Sequence, residues 1–477
     1  MSLPPLAAPA PAPRTPGPAR RPGGLPLSLP VRITGAVVLA VSTVVFILTM
    51  VVRPGGPVYL LDLDVYRGGA RLVLDGGDLY GTPVPVRFGT LPFTYPPLAA
   101  LVFIPLALLP EAVAGLATTA VTCLGLAVTV AVTVHALARE AGTTLPRRDV
   151  AVVSVLALPV LVWFHPVLET FGFGQVNVVL MAVVAVDLLL PRTPWPRGAL
   201  IGLAAAVKLT PAVFVLVLLL RRRWRAAAVA VGTGLGVSAL VWLVLPADSR
   251  AYWFGALRDP GRIGRLEYAS NQSLRGVVAR TVTGGDDVQS VVWVDVQSVV
   301  WVVVSLVVAA LVVAAMVRLL RRGAVTAAVV ANALLALLVS PVSWSHHWVW
   351  VVPMLLVTGA AAVAGRGVVP VMLGCVVALV ATVAPVHVFL PSGDGVERTW
   401  PPLLMILGSE YPLVGIAWLV AAVAAPRAFL PGPRRAAPAG PASGAPESTG
   451  PASGEPASEE LPAEAPHARR TVAETDT

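Results

Sequence analysis

Two acids, Asp62 and Asp64, are the first carboxylates of this chain, and they lie within a dozen residues of its first long apolar run. A carboxylate held near a membrane surface can take the proton from an incoming hydroxyl. Lys208 is the only lysine in the sequence and is flanked by Ala204-Ala205-Ala206-Val207 and Leu209-Thr210-Pro211. A charge at membrane depth costs roughly 2.5–3.5 kcal/mol on insertion scales, so it marks a functional site by default. An ammonium, amides and imidazoles are the groups that hold a phosphate, and a phosphate ester leaves without a general acid. The chemistry these residues could perform together is attack of a hydroxyl on a phosphate-linked group. Each also has a plainer explanation: ordinary loop charge for the acids, snorkelling for Lys208, interfacial packing for His346 and His347.

The elements that must position these groups are membrane helices. Of the residues, 56% are hydrophobic and 12% charged, about half the charge of a soluble chain. Apolar runs of about 17–25 residues, long enough for ~30 Å of hydrocarbon, recur along the length. The expected fold is an all-α integral membrane bundle of about twelve crossings, with residues 32–426 as the transmembrane domain. Residues 1–31 and 427–477, rich in Pro and Ala, are expected to be disordered cytoplasmic ends. The first run, Ile33–Val52, is too long for a signal-peptide core and is read as retained. The outer loop 53–91 then carries the two acids. Residues 98–109 are short for a crossing and are read as re-entrant. The halves 198–207 and 211–220, broken at Lys208-Leu209-Thr210-Pro211, are read as a hairpin with its tip toward the outer side. Such breaks are tolerated where they line a cavity.

The formal charge of +9 sits in short clusters, among them Arg147-Arg148, Arg221-Arg222-Arg223 and Arg321-Arg322. This is the positive-inside pattern of cytoplasmic loops rather than a nucleic-acid face. With the clusters inside, both termini are cytoplasmic, and the acids, Pro246–Gln289 and His346-His347 face outward from the cytoplasmic membrane. Cys123 and Cys375 lie inside apolar runs and give no disulfide framework. Adjacent histidines point about 100° apart on a helix and have no acid or Cys near in sequence, so no metal site is expected. Asp287–Val294 and Asp295–Val302 are the same octet twice, read as a duplication that lengthens a helix end.

Six segments in order, D-L-x-V-Y (Asp62 to Tyr66), F-T-Y-P-P (Phe93 to Pro97), G-Q-x-N (Gly174 to Asn177), K-L-T-P (Lys208 to Pro211), N-Q-S-L-R-G (Asn271 to Gly276) and S-P-x-S-W-x-H-H (Ser340 to His347), resemble glycosyltransferase family 87. The resemblance implies a GT-C fold, a polyprenyl-phosphate sugar as donor, a glycolipid or glycan acceptor, no cofactor or metal, and one inverting displacement giving an α-mannosyl product. It implies Asp62 as the general base, while Asp64 occupies a position that its pattern leaves free; Asp64, His346 and His347 are candidates for catalysis or support. It points to Tyr66, Tyr95, Gln175, Asn177, Lys208, Asn271, Gln272, Arg275 and Trp344 as residues for donor or substrate. The family also holds arabinofuranosyltransferases, and the motifs do not separate a mannose from an arabinose pocket. A lipid-linked sugar transporter would show a repeated bundle with symmetric broken helices, but one broken pair occurs without a second copy. A scaffold would not need Asp62, Lys208 and the histidine pair together.

Overall fold

The computed structural model describes residues 60–282, 291–382 and 385–432. The first apolar run and both chain ends therefore lie outside the described residues, as does the start of the first octet.

The acid-bearing segment is a helix, α1 (Leu61–Leu74), followed by a hairpin of β1 (Val84–Val86) and β2 (Gly89–Leu91), paired antiparallel with Pro85 opposite Thr90. α1 buries Leu63, Tyr66, Gly69 and Ala70 along one face. Two glycines let its neighbours close on it: a Cβ on Gly68 would stand 2.1 Å from Val84, and one on Gly69 2.3 Å from Phe93. Residues 98–109 become two short helices, α2 (Pro97–Val102) and α3 (Ile104–Leu108), too short to cross a bilayer. Arg67 fixes α1 to the end of α3, donating to the carbonyls of Leu106 (3.1 Å) and Leu109 (2.8 Å). Those carbonyls lack helical partners, so the guanidinium caps them.

The bundle proper begins with α4 (Glu111–Glu140). α5 (Arg147–Leu161) and α6 (His165–Phe173) follow, bent by 82° at a break before His165-Pro166. Then come α7 (Asn177–Leu189), α8 (Ala199–Val207), a 3₁₀ turn at Thr210–Phe214, α9 (Val215–Leu220) and α10 (Trp224–Val244). α8 and α9 form the hairpin expected from the sequence: Arg197 before α8 and Arg221 after α9 line one cavity, while Lys208 lies at the other end. The broken backbone is satisfied by Asn332, whose side chain donates to Val213 O and accepts from Val217 N, both at 3.0 Å.

The described part of the segment 246–289, residues 246–282, is built of short helices and turns. It holds α11 (Pro246–Phe254) and α12 (Leu274–Thr281), linked by 3₁₀ turns, and returns to the first loop. There Asp248 accepts from Leu79 N at 3.2 Å and Arg262 donates to Tyr80 O at 2.7 Å. α13 (Val291–Arg321) runs unbroken through the second octet, which lengthens it as expected. α14 (Val325–Val339), a 3₁₀ turn at Ser345–Trp350, α15 (Val351–Val363) and α16 (Val368–Thr382) follow. The last apolar run divides into α17 (Pro402–Leu407) and α18 (Glu410–Ala424).

Among the described residues, four helical segments are long and apolar enough to cross a membrane: α4, α10, α13 and Ser345–Val363. The bent pair α5–α6 makes a fifth. The protein is thus a predominantly helical, multi-pass membrane bundle. The larger number expected from the sequence also counts the first apolar run, outside the described residues, and runs that form apolar helices of 10–17 residues here.

Candidate active site

Asp62 stands in the first turn of α1, where the partial positive charge of the helix start favours a carboxylate. The residue leading into that turn, Leu60, holds a left-handed φ of 37°, and its N–H donates to Gly172 O at 2.9 Å. This conformation is unfavourable for a side chain with a Cβ and is kept by its surroundings. On a helix, residues two apart lie about 200° apart. Asp62 accordingly meets Lys208 and Gln175, whereas Asp64 interacts with Glu111, Arg67 and Arg87. The structure therefore separates the two acids and leaves Asp64 outside the site.

Gln175 is the hub that orients Asp62. α6 ends at Gly174, whose φ of 67° is left-handed and whose absent Cβ would stand 2.8 Å from Leu63 Cβ. Glycine answers both demands, and the chain reverses so that Gln175 points back at α1. Its amide bonds the Asp62 carboxylate and donates to the Tyr95 hydroxyl at 3.1 Å. Its Oε1 accepts from the Tyr66 hydroxyl at 2.7 Å. Tyr66 itself is locked by stacking on Phe103, with ring centroids 4.2 Å apart and planes 8° from parallel. Burial pushes the Asp62 carboxyl up to about 6, while the charge of Lys208 and the bond from Gln175 act in the opposite direction. Asp64 is also raised, by burial and then by Glu111.

Lys208 ends α8, with Nζ 2.8 Å from Asn177 Oδ1, 3.4 Å from His347 Nε2 and 5.3 Å from the centre of the Tyr95 ring. His347 Nδ1 accepts the Trp344 N–H at 3.1 Å. A neutral His347 must then carry its proton on Nε2, so two donors, Nε2–H and the ammonium, converge on one gap. The gap opens into a narrow cavity of about 50 Å³ walled by Met181, Phe214, Leu337 and Trp350. Lys208 thus joins two different surroundings: a carboxylate with aromatic neighbours on one side and an apolar groove on the other.

The adjacent histidines diverge, with ring planes at 90°. His346 turns to Glu169, its Nδ1 4.0 Å from Oε2, and its backbone carbonyl is held by Asn177 Nδ2 at 3.1 Å. Glu169 also accepts from Ser345 Oγ and lies 3.5 Å from His165 Nε2. Glu169 belongs to none of the six motifs, and its one signal in the sequence is an acid four residues after His165 in an apolar stretch. Among the described residues no three His, Cys, Asp or Glu are grouped to hold a metal ion.

Three residues expected to meet substrate are placed elsewhere. Asn271 and Gln272 are fully buried. Asn271 donates to Leu266 O (2.8 Å) and accepts from Ser343 N (3.0 Å), and Gln272 donates to Ala269 O and Gly408 O, both at 2.8 Å. Arg275 donates to Ser298 at 3.0 Å and lies over the Trp301 ring, both in the second octet. Backbone groups buried in a loop need partners, and these side chains supply them. They hold the N-Q-S-L-R-G loop against the histidine segment through a bridge between Asn271 and Trp344.

A helical membrane bundle carrying these motifs in order around a carboxylate and a cation is a membrane glycosyltransferase. The sequence profile of glycosyltransferase family 87 matches residues 93–341, more than half of the chain, and the chain belongs to that family. It is 38% identical over 375 residues to a polyprenol-phosphate-mannose-dependent α-(1-2)-phosphatidylinositol mannoside mannosyltransferase of Mycobacterium tuberculosis, covering 76% of this chain and 84% of the relative. A protein of the same description from Mycolicibacterium smegmatis is 41% identical over 325 residues, 65% of this chain and 72% of the relative. A polyprenol-phosphate-mannose-dependent α-(1-2)-phosphatidylinositol pentamannoside mannosyltransferase of Mycolicibacterium smegmatis is 34% identical over 343 residues, 70% and 78% of the two chains. No solved structure matches this chain significantly.

Proposed function

We propose that this protein transfers mannose from a polyprenyl-phosphate donor to a phosphatidylinositol mannoside, with inversion, on the outer face of the cytoplasmic membrane. The observation that carries the reading is the position of Lys208 between Asp62 and the apolar groove. An isoprenoid phosphate has the matching order: hydrocarbon for the groove, phosphate for Lys208 and the His347 Nε2–H, and sugar toward Asp62. The acceptor hydroxyl attacks the anomeric carbon as Asp62 takes its proton, and the carrier phosphate departs with its charge met by Lys208. The names of the relatives supply mannose rather than arabinose and the phosphatidylinositol mannoside acceptor.

The same reading makes the bundle a GT-C fold of about twelve crossings with cytoplasmic termini. The ammonium and imidazole meet the phosphate charge, so the reaction should persist in EDTA. Purified protein given labelled polyprenyl-phosphate mannose and phosphatidylinositol mannoside should form an α-linked product. Transfer from decaprenyl-phosphate arabinose alone would replace mannose in the proposal. Topology is tested separately, with a cysteine at Ser270 in a chain lacking Cys123 and Cys375. Labelling by an impermeant thiol reagent only after permeabilisation would put the site on the wrong face.

A further inference from the structure

At the ends of α7 and α8 remote from Asn177 and Lys208, a second cavity of about 260 Å³ is lined by Arg139, Arg197, Arg221 and Arg223, with Glu140 as its only acid. α7 has 13 residues, which sets the two cavities about 20 Å apart along the bundle. Glu140, whose Oε1 accepts from the N–H and hydroxyl of Thr326 at 2.8 and 2.7 Å, acts on Arg139 and Arg221 and offsets one of the four positive charges. Arg139 and Arg197 are partly occupied by the carbonyls that end α7: Arg139 donates to Leu189 O at 3.3 Å, and Arg197 to Asp187 O at 2.5 Å and Leu190 O at 2.7 Å. Among the described residues, Arg221 and Arg223 have no side-chain hydrogen bond or ion pair. Between them Arg222 adopts a left-handed φ of 55°, a conformation that a residue with a Cβ keeps only when its surroundings impose it. The turn it makes presents both neighbours to the same cavity.

One carboxylate against four guanidinium groups leaves the cavity lining with excess positive charge, which a further anion would relieve. Guanidinium forks match the oxygens of phosphate in pairs, and basic pockets between helices on the cytoplasmic side suit anionic headgroups. We propose that this cavity binds a phosphate-bearing anion, either the headgroup of an anionic membrane lipid or a soluble phosphate, at the face opposite the transfer site. The inference rests on the membrane-bundle fold and not on the assignment of the transfer chemistry.

The test is native mass spectrometry of the full chain in detergent. The probes are dioleoyl phosphatidylglycerol, dioleoyl phosphatidylcholine and inorganic pyrophosphate. Wild type should retain one phosphatidylglycerol, or one pyrophosphate, in preference to phosphatidylcholine. Retention of the lipid undisturbed by pyrophosphate identifies a headgroup site; displacement by pyrophosphate identifies a soluble phosphate. Arg221→Gln with Arg223→Gln should weaken binding about 30-fold, from roughly a factor of five per basic residue. Arg221→Lys with Arg223→Lys, which keeps charge and packing, should retain most of it. Arg192→Gln with Arg225→Gln, exposed arginines that do not line the cavity, should change it little. Equal anion binding by the glutamine pair and wild type overturns the proposal. So does an equal loss in the control pair, which would reduce the site to diffuse surface charge.

Discussion

The two ends of the α7–α8 pair both place positive charge beside a cavity, and they differ in how much there is and in what answers it. At one end a single compact ammonium faces a carboxylate, an amide and an imidazole, and the adjoining cavity is narrow and apolar. At the other, four guanidinium groups surround a roomier space with a single acid, Glu140, to answer them. A site for chemistry must keep its base near enough to the cation to be held in place, yet basic enough to accept a proton. A site for binding needs only unmatched charge. On the two proposals above, the same elements carry a reacting end and a holding end.

The sharpest way to break this comparison is to remove the base. Asp62→Asn keeps the shape of the side chain and should lower turnover by ~10²–10⁴-fold with donor binding intact, the usual range for a general base. Asp64→Asn, on the other face of α1, should stay within a few-fold of wild type. Similar losses in both variants would mean that the α1 geometry does not select the base.

The next largest effect belongs to Lys208. Lys208→Met should raise the donor KM by about 10–100-fold, as expected for a lost hydrogen bond to a charged group worth ~1.5–3 kcal/mol, and Lys208→Arg should recover part of it. The pH profile sharpens the point. Asp62 must be ionised to act, and its carboxyl sits at about 6, so kcat/KM should fall as pH drops through that value. Lys208 lowers that value, so Lys208→Met should move the acid limb to higher pH. An acid limb unmoved in this variant would show that the two groups do not face each other during turnover.

Gln175→Ala should cost on the order of tenfold in kcat, since it releases Asp62, Tyr66 and Tyr95 together while removing hydrogen bonds of ~1 kcal/mol each. The smallest effect on catalysis is expected at Asn271. Asn271→Ala leaves buried backbone groups without partners and should cost ~1–3 kcal/mol of stability, seen as a lower Tm with an unchanged donor KM. A rise in donor KM at constant Tm would return Asn271 to the substrate.

Much of the site was legible because its motifs carry glycine, proline and charge where an apolar chain has no other use for them. Lys208 announced itself as the only lysine, and the break at Lys208–Pro211 was readable because proline cannot continue a helix. Only the resemblance ranked Asp62 above Asp64; their spacing could not, since a strand would have put both on one face and a helix sets them apart. Asn271 and Gln272 look like substrate ligands in sequence because amides serve substrate and backbone equally well. The backbone that claims them belongs to distant residues such as Ser343 and Gly408.

The sequence by itself determined that this chain is a membrane bundle, because apolar length and sparse charge are local properties set by transfer from water to hydrocarbon. It also determined which residue types were available for chemistry. Only the tertiary structure decided which of them meet. Asp62, Gln175, Lys208 and His347 come from four separated segments, and their meeting depends on the bend before α6, the left-handed turn at Gly174 and the hairpin held by Asn332. No local pattern encodes those long-range contacts, because they follow from how helices of unequal length pack and where their unpaired backbone groups find partners.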